Sequence, residues 1–167
     1  MATELSPQAL AGDEIDRAVH GTAAISRELG APPERVWAAF ADLEARDRWF
    51  RMPGSTGHEL DFRPGGGETA SGVSDVAGTT EQLEWSSRIF DVVERRRLVF
   101  AYRFAINGLT RYVSLVTVEM EPAGEGTRLD YTEQYTVTAF TDADGSQDAA
   151  HLDGSLLFLM NRLEAAL

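Results

Sequence analysis

The residues best suited to chemistry share one side of a single segment. In the alternating run from Thr127 to Thr138, Leu129, Tyr131, Glu133, Tyr135 and Val137 fall on one side. Arg128, Asp130, Thr132, Gln134 and Thr136 fall on the other. The first set is the more apolar, so it should face the interior. That places Glu133 among aromatic rings. A carboxylate buried without a partner is costly, so it raises its pKa or acquires a partner. A raised pKa suits a general acid or base, which makes Glu133 the candidate catalytic residue. The competing reading is a strand-end glutamate paired with Arg103 or Arg111, or turned to solvent. That is the commoner environment of this residue type.

Other runs supply rings in the same phase: Trp85, Ser87 and Ile89; Leu98, Phe100, Tyr102 and Phe104; Tyr112, Ser114, Val116, Val118 and Met120. Apolar walls with a few convergent polar tips describe a small-molecule pocket. They equally describe an ordinary core whose tyrosine hydroxyls reach the rim. On the first reading, Trp85, Phe100, Tyr102, Phe104, Tyr131, Glu133 and Tyr135 contact the ligand, joined by Phe158 and Trp49. Trp37 and Trp49 sit at helical spacing and read first as core, with Trp49 and Phe50 also bordering the entrance.

Other chemistries find little support. His20, His58 and His151 are far apart, and no His/Asp/Glu group has metal-ligand spacing, so no metal is expected. No cofactor is implied. His151 falls near the cavity mouth, with a surface or capping role. No Gly-x-Ser-x-Gly elbow is present. Gly65-Gly66-Gly67 lies between two strands rather than between a strand and a helix, so it is a hairpin turn rather than a phosphate loop. It would also serve as a lip of the pocket. There are no cysteines, which excludes disulfides and thiol chemistry. The net charge of −12 repels phosphate backbones and argues against nucleic-acid binding. No apolar run is long enough to span a membrane. Met1 to Gly21 lacks the pattern of a signal peptide, so a cytoplasmic location is expected.

The elements that must position these residues follow from periodicity. Gly21 to Gly30 alternates as a first strand. Ala31-Pro32-Pro33-Glu34 starts a helix, since proline is tolerated in the first turn, and Val36, Trp37 and Phe40 form its buried face. Asp42 can cap a second short helix through Leu43 and Trp49. Six strands follow: His58 to Arg63, Glu68 to Val76, Thr80 to Glu94, Leu98 to Ala105, Thr110 to Glu121 and Thr127 to Thr138. Asn107-Gly108 is a strong hairpin signal, because both residues accept left-handed geometry. From Gln147 to Leu167, Leu152, Leu156, Leu159, Leu163 and Leu167 recur at helical spacing with Met160 beside them. Leu157 and Phe158 widen that stripe. The expected architecture is α+β: a curved antiparallel sheet of about seven strands around a long C-terminal helix, with two short helices after the first strand. Residues 21–167 form a single domain, and residues 1–20 a tail or surface helix with scattered Leu5, Leu10, Ile15 and Val19.

Several motifs resemble a known family. They are Ala31-Pro32-Pro33-Glu34-Arg35-Val36-Trp37 with Trp49; Phe62-Arg63-Pro64-Gly65-Gly66; Ile89-Phe90-Asp91-Val92-Val93-Glu94 followed by Leu98-Val99-Phe100; and Gly126-Thr127-Arg128-Leu129. From Ala23 to Leu167 the chain resembles the START-like, or Bet v 1-like, helix-grip superfamily (SRPBCC). Within it, the chain is similar to the group of the C-terminal domain of the Hsp90 ATPase activator. The resemblance implies a hydrophobic cavity between helix and sheet. One departure concerns the cavity. Family members usually carry Gly-Trp near the start of the last helix, where this chain has Gly154-Ser155. On a helical wheel Ser155 falls beside Leu152, Leu156 and Leu159, so the exchange should leave space that other rings, such as Phe158, could fill.

Three functions are expected, in this order. The first is binding of a small hydrophobic or aromatic ligand, with Glu133 as polar anchor and Ser155 and Phe158 on the helix side. The second is a cyclase, aromatase or isomerase reaction using Glu133 and a tyrosine. The third, implied by the resemblance, is contact with a chaperone. This chain has no counterpart of the extra N-terminal domain of the full-length co-chaperone, which ranks that role last.

Overall fold

A computed structural model describes residues 17–167. The expected tail or surface helix lies mostly outside the described residues. Its last part does not: the first strand, β1, spans Val19–Leu29 and begins before Gly21. The extension is held by the last strand, β7 (Gly126–Val137), since Val19 and His20 stand opposite Val137 and Thr136.

The remaining elements follow the expected order. α1 is Pro33–Ala41 and α2 is Leu43–Trp49; β2 is Gly57–Asp61, β3 Gly67–Val76, β4 Thr79–Val93, β5 Arg97–Ile106 and β6 Leu109–Ala123; α3, after β7, is Ser146–Ala166. The strands form one antiparallel sheet in the order β1-β7-β6-β5-β4-β3-β2. β1 thus returns to pair beside the last strand. The two short helices fill the connection between the two sheet edges.

Local chemistry explains the boundaries. Pro33 opens α1 where its missing N–H costs nothing. The Asp42 side chain accepts the backbone N–H of Ala45 at 2.9 Å and starts α2. Asn107 and Gly108 both take positive φ, 52° and 79°, as a two-residue hairpin requires. The β3–β4 hairpin turns through Ala77 and Gly78, at φ 50° and 83°. Alanine accepts that geometry less readily than glycine.

The strand phases are as expected. Leu129, Tyr131, Glu133, Tyr135 and Val137 are all buried, as are Trp85, Ile89, Leu98, Phe100, Val116, Val118 and Met120. α3 lies against this face through Leu152, Leu156, Met160 and Leu163. Its stripe is rotated from the expectation: Met160 is fully buried, whereas Leu159 is half-buried. Leu157 and Phe158 do not widen the buried face; they are 49% and 59% exposed. Asp142 anchors the start of α3 by accepting from the backbone N–H of Gly145 at 2.7 Å and of Gln147 at 2.9 Å. Arg111 then pairs with Asp148 at 3.1 Å and ties this end of the helix to β6. Arg111 is the residue left over where the β5–β6 register shifts between Phe104 and Ala105. Such a bulge redirects a side chain.

Candidate functional site

A cavity of about 1000 Å³ lies between α3 and the sheet. Trp85, Tyr102, Phe104 and Tyr112 come to it from β4, β5 and β6, and Glu133 from β7. α3 contributes Leu152, Ser155, Leu156, Phe158 and Leu159. The third wall is the α2–β2 loop, from Phe50 to Ser55. A flatter depression of about 600 Å³ on the outer sheet face, around Arg88, Ala101, Val113 and Leu115, gathers no comparable set of rings and titratable groups.

Six of the expected contact residues line the cavity: Trp85, Tyr102, Phe104, Glu133, Ser155 and Phe158. Phe158 does so from the rim, with most of its ring in solvent. Four others are buried core rather than wall: Trp49, Phe100, Tyr131 and Tyr135. Trp49 is 1% exposed and donates its indole N–H to the Ala39 carbonyl at 2.7 Å, so it holds α1 against α2 instead of bordering the entrance. Phe50 does border the entrance, with its ring centroid 4.8 Å from that of Trp85. His151, exposed near the start of α3, is on the cavity wall.

The Gly65–Gly67 turn is not the lip. It is hydrogen-bonded to β4, with Gly65 donating to the Ile89 carbonyl at 2.8 Å and Ile89 donating to that of Gly66 at 2.9 Å. The lip is the Phe50–Ser55 loop, which lies on β3: Val73 donates to the Pro53 carbonyl at 3.0 Å, and Thr56 to that of Ser71 at 2.9 Å. Gly72 permits this approach, since a Cβ there would stand 2.0 Å from the Pro53 oxygen.

Glu133 is 6% exposed and pairs with neither Arg103 nor Arg111. Arg103 donates to Thr110 and the Gly108 carbonyl, and Arg111 is committed to Asp148. Glu133 instead accepts from two hydroxyls. Tyr102 donates to Oε1, and Ser114 donates to the same oxygen at 2.6 Å. No donor among the described residues meets Oε2. Burial pushes the Glu133 carboxyl up from its ordinary value; the two hydroxyls oppose that and the charge of Asp153 adds to it. Burial, then the charge of Glu133, pushes the Tyr102 phenol well up, so it remains a donor.

A second polar cluster, which sequence patterns do not reveal, supports the lip. Arg46 of α2 forks onto Glu68 of β3, with Nε 2.9 Å from Oε1 and Nη2 2.9 Å from Oε2. Both side chains are buried. The guanidinium also lies over the rings of Phe50 and Trp49, at 4.1 and 4.4 Å from their centroids. His58 of β2 completes the cluster, with Nδ1 2.8 Å from Asp47 and Nε2 2.7 Å from Glu68. Burial would raise the Glu68 carboxyl, but Arg46 and His58 together hold it below its ordinary value. The hydrogen bond to Glu68 raises the His58 imidazole, against its burial and with further help from Asp47.

A seven-stranded antiparallel sheet over a C-terminal helix, with paired short helices after the first strand and a hollow between, defines a helix-grip protein of the START-like class. More narrowly, this chain belongs to the family described as Activator of Hsp90 ATPase homolog 1-like protein, whose model matches residues 30–167. Two solved structures show the likeness. A protein from Rhizobium leguminosarum is 30% identical, with 90% of this chain and 95% of that chain covered and a TM-score of 0.74. A protein from Rhizobium loti is 33% identical, over 90% and 99% of the two chains, with a TM-score of 0.73. A protein from Arthrobacter aurescens, 21% identical over 87% of this chain and 84% of that chain with a TM-score of 0.65, shares the fold. No curated protein matches the chain. The fold commonly binds hydrophobic ligands. Among the described residues no helix is long and apolar enough to cross a membrane.

Proposed function

We propose that the chain binds a small hydrophobic or aromatic ligand between α3 and the sheet, with Glu133 as its polar anchor. The observation that carries this reading is the cavity of about 1000 Å³ itself, walled by Trp85, Tyr102, Phe104 and Tyr112. Ligand sites are clefts of a few hundred to about 1,000 Å³ with apolar walls and few polar groups. Glu133 supplies such a group, since its Oε1 is satisfied by the protein and its Oε2 is left for a guest. Stacking on the wall rings selects flat, aromatic bodies.

The test uses N-phenyl-1-naphthylamine, a neutral aromatic reporter, titrated into the purified protein. A saturable rise in fluorescence, lost when Ser155→Trp occupies the cavity, is the expected result. A folded protein that gives no saturable signal and carries no co-purified compound in native mass spectrometry overturns the proposal.

A second reading is favoured by one contact. Tyr102 and Glu133 form a hydrogen-bonded acid–base pair at the cavity wall. A carboxyl with a raised pKa and an uncommitted oxygen can take a proton from a bound carbon acid or give one to it. Solvent deuterium uptake into a bound ketone, abolished by Glu133→Gln, would distinguish an isomerase or cyclase from a carrier. Binding without exchange would leave the carrier alone.

A further inference from the structure

Among the described residues, one cation at the rim of the cavity has no carboxylate partner. Arg162 lies on α3 one turn beyond Phe158, on the cavity side of the helix, and is half-buried. Its guanidinium carbon is 5.7 Å from the centroid of the Phe158 ring. Among the described residues no carboxylate lies within 4.0 Å of it, and it makes no hydrogen bond. In a chain with 27 acidic and 15 basic residues, carboxylates are plentiful. The other arginine lining the cavity, Arg51, pairs with Asp47 at 2.9 Å. Arg27, beside α3, donates to Asn161 at 3.1 Å.

We propose that the cavity takes an amphipathic acid, with its anionic end at the mouth against Arg162 and its apolar body against Trp85, Tyr102 and Phe104. The inference rests on the ligand-binding reading above and adds the charge and orientation of the guest. The planar guanidinium fork matches a carboxylate with two parallel hydrogen bonds. A ligand lying along the cavity can reach both ends, because the same hollow is lined by Arg162 on the helix and Glu133 on the sheet. Glu81 also lines the cavity and forms no ion pair with Arg162. His151 lies on the same wall as Arg162. The long-range field of this acidic chain disfavours anions, but it is screened within about 8 Å at physiological salt. A contact at hydrogen-bond distance is screened much less.

The experiment displaces N-phenyl-1-naphthylamine with three matched compounds: 2-naphthoic acid, its methyl ester and 2-naphthylmethylamine. The acid is expected to compete about tenfold better than the ester, a gap of about 1.4 kcal/mol. Arg162→Gln should erase that preference without weakening the neutral reporter, and Arg162→Lys should restore part of it. Equal competition by acid and ester, tighter binding of the amine, or an acid preference that survives Arg162→Gln overturns the inference and leaves the ligand-binding reading standing. Failure of the reporter itself to bind removes both.

Discussion

Tyr102 and Glu133 are bonded side chain to side chain although β5 and β7 are not neighbours. The phenol reaches across β6, and Ser114 of that intervening strand donates to the same carboxylate oxygen. Three strands therefore fix one oxygen of Glu133, and the cavity borders the residue. This is how a sheet can hold an acid in a defined place without an arginine. The hydroxyls stabilise the charge partly, and burial outweighs them.

The upward shift of Glu133 has a definite sign for stability. A carboxyl whose folded pKa exceeds its unfolded value contributes most below the unfolded pKa, and that contribution is lost as pH rises through the folded pKa. Glu133→Gln keeps an acceptor for Tyr102 and Ser114 and removes the charge. The variant is expected to melt higher than the parent at pH 8, by about 2–4 °C for each kcal/mol of relieved burial. The gap should narrow as pH falls toward the ordinary carboxyl value of 4.5. Thermal melts across that range measure it, and a variant less stable than the parent at pH 8 contradicts the assignment.

His58 gives the second pH dependence. Asp47 and Glu68 are acceptors when ionised, so both ring nitrogens must donate and the imidazole is cationic. Its folded pKa is raised, so its contribution is complete below the ordinary value of 6.5 and is lost as pH rises through the folded value. Glu68 is depressed and acts at the other end: its contribution is present above 4.5 and is lost as pH falls through its lowered pKa. Urea midpoints of the parent should decline on the alkaline side. His58→Gln should flatten that decline and also shrink the acid limb, because His58 is one of the two groups that hold Glu68 down.

Strand phases and turns are legible in the sequence because alternation reports a sheet with one buried face. That is why Leu129 through Val137 fall on the correct side, and Asn107-Gly108 at a hairpin. The Arg46 cluster is not legible. Arg46 and Glu68 are 22 residues apart, and each has the look of a solvated charge on an amphipathic element. Only the folded chain, which brings α2 beside the β2–β3 hairpin, buries them together. The lip escapes for a related reason. Gly65-Gly66-Gly67 stands out as a glycine run, while the informative glycine is Gly72, alone inside a strand. A lone strand glycine signals close approach of another backbone, here Pro53. Spacing puts Phe158 on the buried stripe, but spacing alone cannot show how far a helix rolls toward its sheet.

Arg46 should be the most sensitive position outside the hydrophobic core. Arg46→Ala leaves Glu68 buried with His58 as its remaining partner and removes the cation from the faces of Phe50 and Trp49. Removing one partner of a buried pair costs about 3–5 kcal/mol. Removing Glu68 as well should recover part of that loss. A double-mutant cycle by chemical denaturation measures the coupling. Phe50 lines the cavity, so Arg46→Ala is also expected to weaken reporter binding before it unfolds the chain.

Ser155 tests whether the hollow is a site or a packing fault. It lines the same cavity as Trp85 and Tyr102. The half-buried Ser155 lines the cavity, so a tryptophan there is directed toward the void. If the void is only a packing fault, filling it adds apolar contact and raises stability, and nothing else changes. If the void is a ligand site, the same substitution raises stability and also weakens N-phenyl-1-naphthylamine binding by about tenfold or more. A melting temperature that rises with reporter affinity unchanged would place the reporter elsewhere. A melting temperature that falls would mean that the cavity walls cannot accept a ring at 155, as overpacking costs about 1–3 kcal/mol. Stability gained and binding lost together is the expected outcome, because it is the serine that leaves room between helix and sheet.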